Sequence, residues 1–217
     1  MNPIMECFVT WGTAHAGVFT FAPSQKHVGL HQRLGFCLRF LIAIMAKPVT
    51  PTMQSSQWTR SSELQAGEPE SILCHWGHLT DKLYEGLDVN REINAVATLK
   101  LGDAALLGDD AGLVGLAVWH CEPNTEARSG TCSVKFGTVR PGPTARQDFH
   151  RLLTACEDMA WKGGQSRLVP GVNAARHEAY RVMLERNFRT QIQGVSMHRP
   201  NEAGYNAPGV FLIDDGR

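Results

Sequence analysis

Phe36-Cys-Leu-Arg-Phe-Leu-Ile-Ala-Ile-Met45-Ala-Lys-Pro48 and Phe188-Arg-Thr-Gln-Ile-Gln-Gly-Val-Ser-Met197-His-Arg-Pro200 align without a gap, and this pair decides how the fold is read. Phe, Met, a basic residue and Pro recur at one constant offset, and each copy follows a stretch with helical spacing. Repeats of roughly 20 to 50 residues signal solenoids, whereas a single recurrence about one domain length away signals duplicated domains. The first copy then reads as the tail of one domain and the second as the tail of another. Residues 1–48 are expected to be a C-terminal fragment, 49–68 a linker and 69–217 the main domain.

Outward from the first copy, Val18-Phe-Thr-Phe21 is β-type, and Pro23-Ser24 gives a turn with a capping residue. Val28, Leu30, His31 and Leu34 follow at helical spacing, and Gly35 is placed as the stop. Phe36 to Met45 reads as a strand. Residues 48–67 are rich in Pro, Thr, Ser, Gln and Gly, a linker composition. Beyond it, Ser71 to Leu87 and Val89 to Leu99 read as helices. Asp103 to Leu107 and Gly112 to His120 read as a hairpin around Gly108-Asp-Asp-Ala-Gly112, and Gly130 to Val139 as a further strand. Next come a helix from Ala145 to Trp161 stopped by Gly163-Gly164, a strand at Arg167 to Val172 and a helix at Ala174 to Arg186. Strands at Arg189 to Met197 and Val210 to Asp214 end the chain.

Composition narrows the function. Of 217 residues 43% are hydrophobic and 19% charged, ordinary for a globular protein, and 21 basic side chains balance 21 acidic ones. A net charge of zero offers no footprint for nucleic acid or for an anionic membrane surface. The apolar run Leu34 to Ala46 contains Arg39 and is too short to span a bilayer. The start of the chain lacks a basic segment followed by an uninterrupted apolar one, so no secretory signal is read. The six cysteines are scattered without a C-x-x-C pair, which favours a reduced, cytoplasmic setting.

The element order together with the helix-Gly-Phe-strand ending resembles the GNAT superfamily of N-acyltransferases. The short motif that carries the resemblance is Ser24-Gln-Lys-His-Val-Gly-Leu-His31-Gln-Arg-Leu-Gly35-Phe36, where the family has Asn, Ala, Tyr and then Gly-Phe. In the second copy Asn173, Tyr180 and Phe188 stand in that order, with Asn187 in place of Gly, a mild change at a left-handed helix end. Counted from Phe188, the usual tyrosine position is Met183. The resemblance implies an α/β fold: a mixed, mostly antiparallel sheet with a central splayed parallel strand pair, flanked by helices.

It also implies where acetyl-CoA would bind as acyl donor. The pyrophosphate would sit where a strand meets a helix N-terminus, since backbone N–H groups and the helix dipole favour negative charge. Val139-Arg-Pro-Gly142-Pro-Thr144-Ala145-Arg146-Gln147-Asp-Phe149 occupies that position. Val139, Pro141 and Leu152-Leu153 keep the family register, but Thr144, Gln147 and Phe149 replace its usual Gln or Arg, Gly, and Gly or Ala. The placement that suits these residues makes Gly142, Thr144 and Ala145 the phosphate-facing positions, with Arg140 and Arg146 beside them. The resemblance makes the backbone of Gly137, Thr138 and Val139 the partner of pantetheine, Asn173 a cofactor contact or a helix cap, and Tyr180 the proton donor to the departing thiolate. His31 reads either as an acid or as a histidine packed on a helix face. Cys74, His75 and His78 lack the further ligands a zinc site needs, so no metal is expected.

The leading expectation is an N-acyltransferase moving an acetyl group from acetyl-CoA to a small-molecule or peptide amine. The competing one is a non-catalytic GNAT-like domain with a structural or interaction role. Residues 1–48 are expected to pack on the main domain or on a second copy, since two strands and a helix leave an apolar face to cover. No nucleic-acid or membrane partner is expected.

Overall fold

The computed structural model describes residues 3–51, 57–64, 76–110, 112–122 and 124–214. Helix α1 (Pro3–Thr10), strand β1 (Ala16–Thr20), helix α2 (Gln25–Arg33) and strand β2 (Cys37–Pro48) form the first part. Strand β3 (Thr59–Arg60) and a 3-10 turn (Ser61–Glu63) come next, followed by helix α3 at 76–81. Helix α4 (Asn90–Thr98) leads into strands β4 (Gly102–Asp109), β5 (Gly112–His120) and β6 (Thr131–Val139), and then helix α5 (Ala145–Lys162). Strands β7 (Arg167–Val169) and β8 (Gly171–Asn173), helix α6 (His177–Glu185), β9 (Arg189–Arg199) and β10 (Leu212–Asp214) complete the order.

Among the described residues the ten strands share one sheet, in the order β1-β9-β2-β8-β10-β6-β5-β4-β3, with β7 paired to β2 and β6. Pairing is antiparallel except between β6 and β7, which run parallel over Thr131–Ser133 and Arg167–Val169. The mixed, mostly antiparallel sheet with one parallel pair is therefore present. A single strand was expected at Arg167 to Val172; Pro170 divides it, because proline has no N–H for the ladder, while its carbonyl accepts from Met45 N–H at 2.8 Å.

The two copies of the ending are neighbours in this sheet. Strand β2 lies between β8 and β9, antiparallel to both. Ile42 is opposite Gly194, its own counterpart in the repeat, so the copies are related by a local two-fold between these residues. The correspondence extends beyond the ending. Gln25–Arg33 and His177–Glu185 are 152 residues apart at both ends (177 less 25, 185 less 33). Gly35 and Asn187 both hold positive φ, at 84° and 66°, as do Gly12 and Gly164 at 63° and 69°. The Phe36 and Phe188 N–H groups each donate to the carbonyl five residues back, at 3.1 and 3.0 Å. A left-handed residue after the last helical turn lets the chain reverse into a strand, which Gly permits freely and Asn tolerates.

The packing repeats the same two-fold. Phe188 belongs with Met45 to the core cluster beneath α5 and α6. Phe36 belongs with Met197 to the cluster on which Met5 and Phe8 of α1 and Val28 of α2 pack. Each copy's Phe is thus buried with the other copy's Met. A third cluster lies under α3 and α4, where Trp76, Leu79, Ile93 and Val96 meet Leu116, Val118, Phe136 and Leu212.

The stretch read as linker contributes to the fold within residues 57–64. Thr59 and Arg60 pair with Leu106 and Ala105, adding β3 as an edge strand. Trp58 donates from Nε1 to Asp158 at 2.9 Å, and the Ser61 and Ser62 hydroxyls donate to Asp103 at 2.7 and 2.5 Å. Its polar composition hid these anchors, since serines that hydrogen-bond a distant carboxylate look like loop residues in sequence. Cys74 and His75, and the expected helix start at Ser71, lie outside the described residues.

Candidate active site

Of the residues expected to hold acetyl-CoA, Gly137, Thr138 and Val139 border a slot in the sheet. Strands β6 and β7 part after Ser133 and Val169, and the opening wedge is filled by the chain's own β10. Leu212, Ile213 and Asp214 lie opposite Thr138, Gly137 and Phe136, and Asp214 lies opposite Gly171 on the far side. The fully buried Thr138 hydroxyl donates to the Phe211 carbonyl at 3.1 Å, and Val139 N–H donates to the same oxygen at 3.4 Å. Gly137 faces Ile213, whose side chain lies 3.1 Å from where a Cβ would stand. A bulge at Lys135, between the Val118–Phe136 and Trp119–Val134 pairs, interrupts the β5–β6 ladder just before the stretch that borders the wedge.

The loop before α5 is arranged differently from the expectation. Gly142 and Thr144 are exposed at the helix start, while Ala145 is buried. Arg140 pairs with Asp109 at 2.8 Å and Arg146 with Glu185 at 2.6 Å, so both guanidinium groups already have acidic partners. Phe149 is fully buried, its ring centroid 5.5 Å from that of Phe211. Asn173 is fully buried. It accepts from Ala175 N–H at 3.0 Å, capping the turn that leads to α6, and donates to Ser196 at 3.3 Å. Tyr180 is half-buried against the core and Met183 is completely buried. His31 packs edge-on against Phe36, with 6.1 Å between centroids. With β10 in place, β6 is paired from Phe136 to Thr138 and the space beside Gly137 is taken by Ile213.

Beside this slot lies a cavity of about 500 Å³ that sequence reading missed, lined among others by His15, Tyr84, Asp88, His198, Tyr205 and Asn206. His15 precedes β1, Tyr84 and Asp88 follow α3, His198 is near the end of β9, and Tyr205 and Asn206 precede β10. Gly204 holds φ of 58° against the His15 ring, whose Nε2 is 3.2 Å from where a Cβ would stand, so a side chain there would fill the cavity wall. The two imidazoles meet edge to face with 4.9 Å between centroids, and Tyr84 contacts His15 and Tyr205 at 6.1 and 6.3 Å.

His198 is only 2% exposed, and its Nδ1 lies 2.8 Å from the Glu202 carbonyl oxygen. A carbonyl can only accept, so Nδ1 carries the proton and Nε2 keeps its lone pair. That Nε2 is buried without a hydrogen-bond partner, as is His15 Nδ1. Burial holds the pKa of both rings below the ordinary imidazole value; Arg39 and the neighbouring ring or guanidinium charges act in the same direction on His198, and Glu202 acts against it on both. The His198 ring is therefore uncharged at neutral pH, and it lines the cavity with its Nε2 lone pair unpartnered.

The same shifts fix a pH dependence of stability. Unfolded histidines bind protons at a higher pH than these two do when folded, so the unfolded state gains protons first as pH falls. Stability from this pair is complete above the ordinary imidazole value and is lost below it. The melting temperature is expected to drop between pH 7 and pH 5 more steeply in the parent chain than in a His15→Asn/His198→Asn variant. Parallel curves would refute the assignment.

Among the described residues, no group of three or more His, Cys, Asp or Glu side chains is placed to hold a metal ion, and no helix is long and apolar enough to cross a membrane. Burial raises the Cys132 thiol and pushes Cys156 up to about 12, which keeps both protonated and unreactive.

Comparison with solved structures identifies the fold. The chain resembles a GCN5-related N-acetyltransferase from Sphaerobacter thermophilus (TM-score 0.56, 14% identity, 90% of this chain and 67% of that one). It is similar to a GCN5-related N-acetyltransferase from Kribbella flavida (TM-score 0.54, 15% identity, 92% and 74%) and to an acetyltransferase of the GNAT family from Colwellia psychrerythraea (TM-score 0.54, 9% identity, 84% and 64%). The chain thus has the fold of the GCN5-related N-acetyltransferases and spans about two thirds to three quarters of the length of these structures. No family model and no curated protein matches the sequence.

Proposed function

We propose that this chain is an N-acyltransferase that transfers an acetyl group from acetyl-CoA to an amine bound in the cavity of His15, Tyr84, His198 and Tyr205. The observation that carries the reading is the buried, unpartnered Nε2 of a histidine whose tautomer is fixed by the Glu202 carbonyl. An amine attacks only as its free base, and an imidazole kept uncharged by burial can accept the proton that the attacking nitrogen sheds as the new C–N bond forms. Tyr84 and Tyr205 offer rings to an ammonium substrate, and Asp88 and Glu85 at the same cavity give its mouth an acidic edge. The fold supports the class of reaction, and the element-by-element correspondence of residues 3–48 with the segment ending at Pro200 supports the duplicated-domain reading. Unpaired buried thiols at Cys132 and Cys156 support a reduced, cytoplasmic setting.

His198→Gln keeps the ring's volume approximately and removes the base. Turnover of acetyl-CoA against a panel of primary amines is expected to fall about 10²- to 10⁴-fold, a typical loss on removing a general base. The parent chain should show an acidic limb below the ordinary imidazole value, which the variant lacks. An unchanged rate and profile would remove His198 from the reaction.

A second reading, a non-catalytic domain with this fold, is favoured by β10 in the slot and by the Phe149 ring at the loop position. Calorimetric titration with acetyl-CoA separates the two: absence of both heat and a thermal shift at millimolar ligand, in the parent chain and in variants that free the slot of β10 alike, would sink the enzyme.

A further inference from the structure

We propose that β10 is an internal occupant of the acyl-donor slot, so that docking of this strand and binding of an acyl-CoA exclude each other. The inference rests on the acyltransferase reading above, and it names the step that would regulate that site.

Three observations carry it. The first is position: β10 pairs with Phe136, Gly137 and Thr138 on one side and Gly171 on the other, the backbone a pantetheine arm would need. The second is the fit of that strand to Gly171. A Cβ on Gly171 would run into the Asp214 carbonyl oxygen, so this residue is what lets β10 lie flat in the wedge. Gly171 carries no positive φ, so its conformation does not itself call for glycine. The third is an anchor separate from the ladder. Arg176, fully buried at the start of α6, donates to Asp214 Oδ2 at 2.7 Å, to the Leu212 carbonyl at 2.9 Å and to Asn206 Oδ1 at 2.7 and 2.9 Å.

A strand of three residues has a short ladder, and the turns before it, with Gly204 and Gly209 at positive φ, give the segment points at which to swing. Asn206 joins the two sites, because it lines the cavity and also holds Arg176. A ligand that draws Asn206 away loosens the anchor of β10, and the same segment carries Tyr205 out of the cavity wall. Acceptor occupancy and opening of the donor slot are thereby coupled.

The test uses the whole chain in two forms. In Thr138→Cys/Leu212→Cys, directly opposite residues of an antiparallel pair are close enough for a disulfide that locks β10. Gly171→Ala displaces β10 sterically. Calorimetric titration with acetyl-CoA is expected to show no binding to the oxidised lock and recovery on reduction. It should show binding about tenfold tighter than the parent in Gly171→Ala, since apparent affinity scales with the open fraction. Equal affinity in the parent, the oxidised lock and Gly171→Ala would overturn this proposal while leaving an acyl-CoA-binding protein. No binding in any form, the reduced lock included, would overturn this proposal and the acyltransferase reading together. If Gly171→Ala fails to fold, the redox-reversible lock alone decides.

Discussion

A chain beginning at Val49 is expected to lose its cooperative thermal transition altogether. Residues 1–48 supply β2, which lies inside the sheet between β8 and β9 and hydrogen-bonds both. Phe36, Ile42, Met45 and Ala46 are all buried, and burying each large apolar side chain contributes about 1.5–3 kcal/mol. The sum approaches the roughly 5–15 kcal/mol that holds a domain together. Removal also strands two edges: β9 loses the partner that buries Phe188 and Met197, and β8 is left beside an open wedge. A far-ultraviolet circular dichroism melt of residues 49–217 should therefore show a broad, non-cooperative loss of signal. A sharp transition at the parent temperature would mean that β2 adds nothing to the core it sits in.

Replacing Arg176 by alanine is expected to destabilise the fold by about 3–5 kcal/mol, because it leaves Asp214 buried with an uncompensated charge. Both side chains are completely enclosed, and the guanidinium fork satisfies Asp214, Asn206 and the Leu212 carbonyl together. Arg176→Lys should recover little, since an ammonium cannot reproduce three directed contacts. The double variant Arg176→Leu/Asp214→Leu should recover much of the loss, as apolar replacements of buried ion pairs often do. Urea denaturation with a constant slope reads all three. Equal stability of the single and double variants would show that the pair does not act as a unit.

How much was legible can be judged from particular residues. The helical spacing of Val28, Leu30, His31 and Leu34 before Gly35, and the helix read at Ala174 to Arg186 before Asn187, place α2 and α6 within a few residues, because caps and periodicity are local signals. Helix α1 was not read, having a mixed pattern and no buried residue in its own span. Strand β3 was read as linker, since its contacts are made by Trp58 and two serines to carboxylates about 40 to 100 residues away. The site was less legible still. His15, Tyr84, His198 and Tyr205 come from four separate segments, and none has a neighbour in sequence that marks it out. Arg176 and Asp214 look like surface charges at the ends of elements until the sheet encloses them. At the loop, Phe149 stands where a small residue is usual, and the structure places that ring against Phe211.

The doubled ending is what the sequence by itself determined. Its offset, its Phe and Met positions and its left-handed stops are written in local pattern, and the elements form where those patterns say. The tertiary structure alone decided that the two copies pair with each other, that β2 lies at the middle of one sheet, that β10 enters the wedge between β6 and β8, and that two histidines far apart in sequence share a cavity. The physical reason is that a strand's period and composition encode its two faces but not its edges. Which edge meets which is settled by the burial and hydrogen bonding of the whole sheet, where Phe36 with Met197 and Phe188 with Met45 close the core.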